Sequence, residues 1–503
     1  MTDIQVLAVS ARTVSLLLCP PGTRFALPES VRWTLLDEQG VPLGSGTQTV
    51  CALFLDGLSP ESGYRLETSI GTLDFVTEAC TGLVEASDHG VSTDASDNAQ
   101  AFARAVAAVP DGGTLRVGPG RYPTGPVFLK PRMTLLLEDG AELYGIADRS
   151  DWPKLDALDP ESRVLGTWEG VPERCFAAVV TAVECDGLTI TGRGTIDGGG
   201  DRGDWWTWPK ETRDGARRPR ALQLIRCQDA RLTGLTVRNA PSWTVHPVFC
   251  RSLHVSNLRI ENPPDSPNTD GLNPESCEGV EIACVDFSVG DDCIAVKAGK
   301  RVPGGNNSHL APCRDLNIHH CRMARGHGAV VLGSEMSGGI EDVTVHACAF
   351  DATDRGLRIK TRRGRGGFVR RVRFSDVEMT DVPTPLAVNA FYFCDADGKD
   401  DRVQSRALAP RDAGTPEISD ITFTDVTATG VTVAAAAVLG LPEAPVRGLT
   451  LTRYRVSFDA NAAPDVPLMA LHVPELRNAA LWSDFAEVAG APEIMNEREE
   501  APC

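Results

Sequence analysis

The chain has 503 residues, 42% of them hydrophobic, and its 49 Lys and Arg against 68 Asp and Glu leave a formal net charge of -19. That is enough core material for one elongated repeat domain plus a small module, and the acidic balance argues against a broad nucleic-acid or membrane surface. Its 15 cysteines are an odd number, without CxxC pairs or Cys/His clusters at zinc spacing, so the sequence predicts buried reduced thiols rather than a disulfide framework or a metal site, and no cofactor is expected.

The chain opens on MTDIQVLAVSARTVSLLLCPPG, with an acidic residue where a signal peptide needs basic ones and apolar runs too short for its central segment. No later stretch is long and apolar enough to span a bilayer. These features predict a soluble protein of the reducing cytoplasm. Residues 1–80 read as short alternating strands, such as VRWTLL from Val31 and YRLETSI from Tyr64, separated by turn signals at Pro20-Pro-Gly and Asp37-Glu-Gln-Gly. This is a small β-sandwich, and LDGLSPESGYRLETSIGTLDFVTEA resembles the end of a fibronectin type III module. Asp94 to Ala108 carries the one clear helical period, in Ala101, Phe102, Ala105 and Val106. A helix there would cap the open end of a stack, since repeat arrays need an atypical terminal unit.

From about Cys185 a repeat emerges when CDGLTITG, CQDARLTG, CRSLHVSN, CEGVEIAC, CRDLNIHH, IEDVTVHA, FVRRVRFS and EISDITFT are aligned. Their central residues, Ile190, Leu232, Val255, Ile282, Ile318, Val345, Phe374 and Phe423, recur most often every 23 to 29 residues. Several short strands per unit and no intervening helices point to a right-handed parallel β-helix over residues 85–503. The fold class is therefore all-β.

These anchors give a test of the polar motifs. Asp291 of VGDDCIAV lies nine residues after Ile282, and His327 of RGHGAVVL nine after Ile318, so the two belong one above the other. Arg358 and Lys360 of GLRIKT follow Val345 by thirteen and fifteen. Asp270, in SPNTDGLNPES, lies one coil before Asp291, with PPDSPN blurring its register. Any one of these residues alone is accounted for by a turn, a solvated bend or a strand face; a column of acids and bases on one side of a solenoid is not. Stacked carboxylates repel and need a role or cationic partners.

NTDG at 268–271, GDD at 290–292, GHG at 326–328 and RIK at 358–360 resemble, in order, the four signature motifs of the polygalacturonases, family 28 of the glycoside hydrolases. The resemblance extends to GTIDGGG, APSWTVHPV and GSEMSGG and covers about residues 85–430. It implies hydrolysis of a galacturonate-containing oligo- or polysaccharide with inversion. Asp291 would be the general acid, while Asp270 and Asp292 would hold and deprotonate the water. His327 would set the protonation of Asp291, Asn268, Arg358 and Lys360 would bind substrate, and Tyr392 of NAFYFCD would either sit beside the reactive sugar or serve the core. Crowding of three carboxylates should raise the proton affinity of one. Arg362, Arg363 and Arg365 would either line further uronate subsites or form a solvated loop, and the tryptophans of DRGDWWTWPKE would either wall off a subsite or pack their loop onto the solenoid. Exo cleavage is expected from the compartment, the long loops and the N-terminal module. The alternatives are a pectate lyase-like elimination on the same fold and a non-catalytic carbohydrate-binding solenoid.

Overall fold

The computed structural model describes residues 3–495. The anchors form one parallel ladder, in which Ile190, Leu232, Val255, Ile282, Ile318, Val345, Phe374 and Phe423 each pair with the next. The ladder reaches back to Leu115 and Leu135 and forward to Leu451. All these side chains are buried in one continuous core. Because each coil rises by one strand spacing, like residues stack: the Phe374 and Phe423 rings lie 4.8 Å apart and almost parallel. The result is a right-handed parallel β-helix, as the periodicity predicts.

Each coil turns its sharpest corner on one residue in the left-handed region: Gly234, Asn257, Cys284, His320, Ala347, Asp376 and Asp425 occupy equivalent positions with φ of 51° to 81°. Such a conformation costs an L-residue about 1–2 kcal/mol, and here it is held by the ladders on both sides. The capping helix spans Ala99–Ala108 and buries Ala101, Phe102, Ala105 and Val106 in the same core. It follows a turn at 94–98, where the Asn98 side chain is engaged with the backbone of Ser92 and Pro123.

The N-terminal segment folds as two antiparallel sheets, one of strands Ile4–Val9, Val14–Leu18 and Ala52–Leu55, the other of Ala26–Asp37, Pro42–Val50, Gly63–Thr68 and Gly71–Val76. They enclose a separate core around Leu16, Leu18 and Leu66. This small sandwich sits on the corner just described. A Cβ on Gly234 would come within 2.5 Å of both the Phe54 ring and the Gly192 carbonyl, which is why the corner needs glycine there.

The face that carries the polar motifs is a second parallel ladder. Strands Leu222–Ile225 and Val245–Val248 lead through bridges at Leu272 and Glu275 to Ile294–Val296, Val330–Gly333, Arg355–Lys360 and Thr384–Asn389. Core residues alternate with outward ones along it. The outward set includes His246, Glu275, Lys297, Arg358 and Lys360.

Candidate active site

The bridges settle the register that PPDSPN blurs. Leu272 pairs with Ile294, so two residues upstream Asp270 lies under Asp292, not under Asp291. The inserted residues fold back on themselves, with Ser266 donating to the Pro263 carbonyl at 2.6 Å and Asn268 in the left-handed region at φ 57°. Asp291 and His327 stack as expected, with the His327 amide donating to the Asp291 carbonyl at 2.9 Å. Gly328 leaves room for the stack, because a Cβ there would lie 3.2 Å from Asp292 Oδ1 and 2.5 Å from Val331 Cγ2.

Asp292 is buried and accepts from Lys360 Nζ at 2.6 Å and Arg358 Nη1 at 3.1 Å. Asp270 is equally buried. It accepts from Asn273 Nδ2 at 2.8 Å and lies 3.8 Å from Lys297 Nζ. Burial, followed by the charges of Asp291 and Asp292, raises its carboxyl to about 7, the effect expected of crowded carboxylates. Asp291 reaches further toward solvent. Burial would raise it too, but His327, with Nδ1 3.4 Å from Oδ1, and the nearby Lys360 hold it down to about 2. The same contact pushes His327 up to about 9. The acids therefore share their protons unequally: Asp270 and His327 hold them more tightly than usual and Asp291 more weakly.

Asn268, Asp270, Asp291, Asp292, Lys360 and Tyr392 all line one cavity of about 80 Å³. His327 and Arg358 join through their contacts with Asp291 and Asp292. Tyr392 is largely buried, its ring 5.4 Å from Lys360 Nζ and 5.9 Å from the Arg358 guanidinium. Asn268 Oδ1 accepts from Arg218 Nη2 at 2.6 Å. A larger cavity of about 970 Å³ opens at the far ends of the same strands. Its Arg163 and Arg226 are bound to Asp159 and Glu184, and it contains none of the stacked acids.

Several residues at the site are ones the motifs do not single out. Lys297 is buried under the Trp243 ring, 4.7 Å from its centroid, with Nζ 2.8 Å from Glu335 Oε2. Burial would neutralise it, yet Glu335 and Asp270 keep it charged, above its usual value. Trp243 and Glu335 belong to APSWTVHPV and GSEMSGG, so the signal was present but carried no role. Glu169, Lys210 and Asp395 arrive on loops: Lys210 lies 3.6 Å from Glu169, and Asp395 accepts from Lys300 at 2.8 Å. The arginines after Lys360 do not line this cavity. Arg362 and Arg365 are buried against Asp395, and Arg363 forms a two-pronged pair with Glu443 at 2.6 and 2.9 Å, so the run braces the loop above the site. Trp205 packs inward against Trp152 and Phe176 with Trp208 beside it, and the half-buried Trp206 donates to the Ala240 carbonyl at 3.0 Å, so the tryptophans hold their loop against the solenoid.

Acids and cations interleaved on successive rungs of a parallel β-helix define a carbohydrate-cleaving enzyme. Residues 167–463 match the family described as glycosyl hydrolases family 28. The chain is 32% identical over 380 residues to a protein of Vitis vinifera named "Probable polygalacturonase", covering 74% of each. It is 27% identical over 390 residues to an endo-polygalacturonase of Pectobacterium parmentieri, covering 75% of this chain and 87% of the other. Its fold is similar to that of the family 28 exopolygalacturonase of Yersinia enterocolitica, at a TM-score of 0.70 and 20% identity, covering 100% of this chain and 97% of that one. The chain belongs to the polygalacturonase family, glycosyl hydrolases family 28, and is a glycoside hydrolase.

Family membership overturns the expectation of a cytoplasmic protein. The matched polygalacturonases are secreted, cell-wall or periplasmic enzymes, not cytoplasmic ones. The expectation rests on the opening residues, the thiols read as reduced and the lack of a spanning stretch, none of which reports on a leader. With it falls the argument for exo cleavage from compartment.

Proposed function

We propose that the chain hydrolyses α-1,4-galacturonosidic bonds of polygalacturonate or oligogalacturonides with inversion, acting from a chain end and releasing galacturonate. In this reading residues 1–80 are an accessory module and 85–503 the catalytic domain. The observation that carries the proposal is the trio Asp270, Asp291 and Asp292 set among Lys297, Arg358 and Lys360: acids to work on the bond beside cations to hold the uronate.

Asp291 is the trio member nearest solvent and the one aimed at the leaving oxygen. It acts with His327, which stores the proton in the resting site and returns it as substrate excludes water. Asp270 and Asp292 hold the attacking water from within, and Asp292 is kept in position by its two cations. A second reading makes Asp270 the acid, favoured by its carboxyl being raised to about 7. The alkaline limb of the pH–rate profile separates the two: it falls near pH 9 if Asp291 and His327 supply the proton, and near pH 7 if Asp270 does.

Support for exo action is now the shape of the site. Glu169, Lys210 and Asp395, carried on loops, line the same small cavity as the acids, which supports a site of limited extent. Elimination is disfavoured, because Arg358 and Lys360, the candidate bases, are both paired to Asp292 and neither is free to take a proton. A product time course tests the reading: galacturonate as the sole early product from tri- and tetragalacturonate, without ultraviolet absorbance, is expected. Early mixed oligomers would sink exo action, and absorbing products would sink hydrolysis.

A further inference from the structure

The sandwich and the β-helix meet along the left-handed corner, on the side away from the acids. Thr13 and Thr191 share a hydrogen bond of 2.9 Å, Ser15 and Ser256 one of 2.7 Å, and Arg231 donates to the Val9 carbonyl at 2.7 Å and to Glu78 at 2.6 Å. At the far end Arg24 pairs with Asp376 and Glu378. Between these contacts lies a small apolar contact, in which Leu17, Phe25 and Cys51 of the sandwich meet Ala283 and Cys284 of the solenoid. Cys51 Sγ and Cys284 Sγ are 3.6 Å apart there, both buried, and they come from positions 233 residues apart in the chain.

We propose that Cys51 and Cys284 are a disulfide-forming pair that staples the N-terminal sandwich to the catalytic solenoid. The two sulfurs are already in van der Waals contact, a short approach from the bonded separation of about 2.05 Å. The corner sets up the approach, because the left-handed Cys284, at φ 57°, stands at the bend beneath the turn carrying Cys51. The cysteines behave differently elsewhere. The stacked column of Cys185, Cys227, Cys250, Cys277 and Cys313 lies inside one domain, donating to backbone carbonyls of the coils. A link within that column would join strands already adjacent. A link at Cys51–Cys284 would instead close a loop spanning both domains, where an unfolded chain loses most freedom.

The oxidant is a low-molecular-weight disulfide. The Cys51 thiolate, exposed while the sandwich is undocked, attacks one sulfur of the oxidant, forming a mixed disulfide and releasing one thiol. On docking, the Cys284 thiolate attacks the Cys51 sulfur and expels the second half of the oxidant as another thiol. Two electrons and two protons leave the protein with the two released thiols. Burial, and then its contact with Cys51, hold the Cys284 thiol well above its usual value, so the docked reduced pair is slow to react and the link forms as the domains come together.

The full chain is to be unfolded and refolded with oxidised and reduced glutathione, trapped with an alkylating reagent and mapped by mass spectrometry without reduction. The expected result is a Cys51–Cys284 peptide lighter by two hydrogens, absent in Cys284→Ser and in Cys51→Ala. The sandwich of the linked protein should melt roughly 5 °C or more higher than that of the reduced protein. Recovery of Cys51 alkylated, or joined to Cys19 in place of Cys284, would overturn the proposal, as would a link that leaves the melting of the sandwich unchanged.

Discussion

Two clusters of titratable side chains lie on this solenoid, one in the cleft and one at the corner, and the same stacking produces opposite chemistry. In the cleft, Asp270, Asp291 and Asp292 sit beside Lys297, Arg358, Lys360 and His327, and Asp291, the most exposed of the three acids, is held below the usual carboxylate range while Asp270 is raised above it. At the corner, Glu281 accepts from His254 at 2.9 Å and His319 at 3.2 Å, and His319 in turn hydrogen-bonds His320 at 2.9 Å and stacks on His346. Burial lowers His320 to about 3 and also lowers His346, while Glu281, held by the histidines, stays below the usual carboxylate range. Stacking alone therefore does not make a catalytic site. What distinguishes the cleft is several like charges opposed by fixed cations, with one acid left open to substrate.

The sharpest way to break the contrast is Asp291→Asn, expected to lower kcat by at least ~100-fold while leaving the melting temperature near that of the wild type. Near-normal turnover in a folded protein would take Asp291 out of the acid role. Next comes Lys360→Ala. Loss of a charge-assisted bond of about 1.5–3 kcal/mol should raise KM for oligogalacturonates by roughly 10- to 100-fold. Since Lys360 also holds the buried Asp292, urea stability should fall as well. If stability falls and KM does not move, Lys360 serves Asp292 alone.

A subtler test is His327→Gln. His327 titrates at about 9 in the resting protein, so its proton is present at neutral pH and lost as pH rises through that value. Removing it should flatten the alkaline limb of the rate profile near pH 9, and an unchanged limb would assign that limb to another group. The smallest effect concerns the corner. His320 is neutral when folded, with a value near 3, and titrates at about 6.5 when unfolded, so its share of stability is full above pH 6.5 and is lost progressively as pH falls toward 3. His320→Asn, which suits the left-handed position, should make urea stability less dependent on pH in that window. An unaltered slope would show that His320 does not carry it.

The sequence was most informative where it was periodic. The eight anchors lie in one ladder because burying one apolar side chain per coil is what sets the register, and from two of them the stacking of Asp291 and His327 followed. Asp270 was placed only to within a few positions, since the fold of PPDSPN depends on local hydrogen bonds rather than on a period. The arginines after Lys360 could not be assigned from sequence, because Asp395 and Glu443, which neutralise them, lie 30 to 80 residues away on loops without a repeat. Lys297 was missed for a related reason: its partner Glu335 is 38 residues further on. The contact of Cys51 with Cys284 joins the sandwich to the solenoid across 233 residues, so no spacing rule reaches it.

The most direct test of the proposed inverting hydrolysis is the configuration of the first product. Proton nuclear magnetic resonance during the first turnovers on trigalacturonate, before the sugar equilibrates, should reveal the β-anomer at the new reducing end, as attack by water held at Asp270 and Asp292 requires. First appearance of the α-anomer would mean a covalent intermediate on one of these carboxylates and would contradict the account.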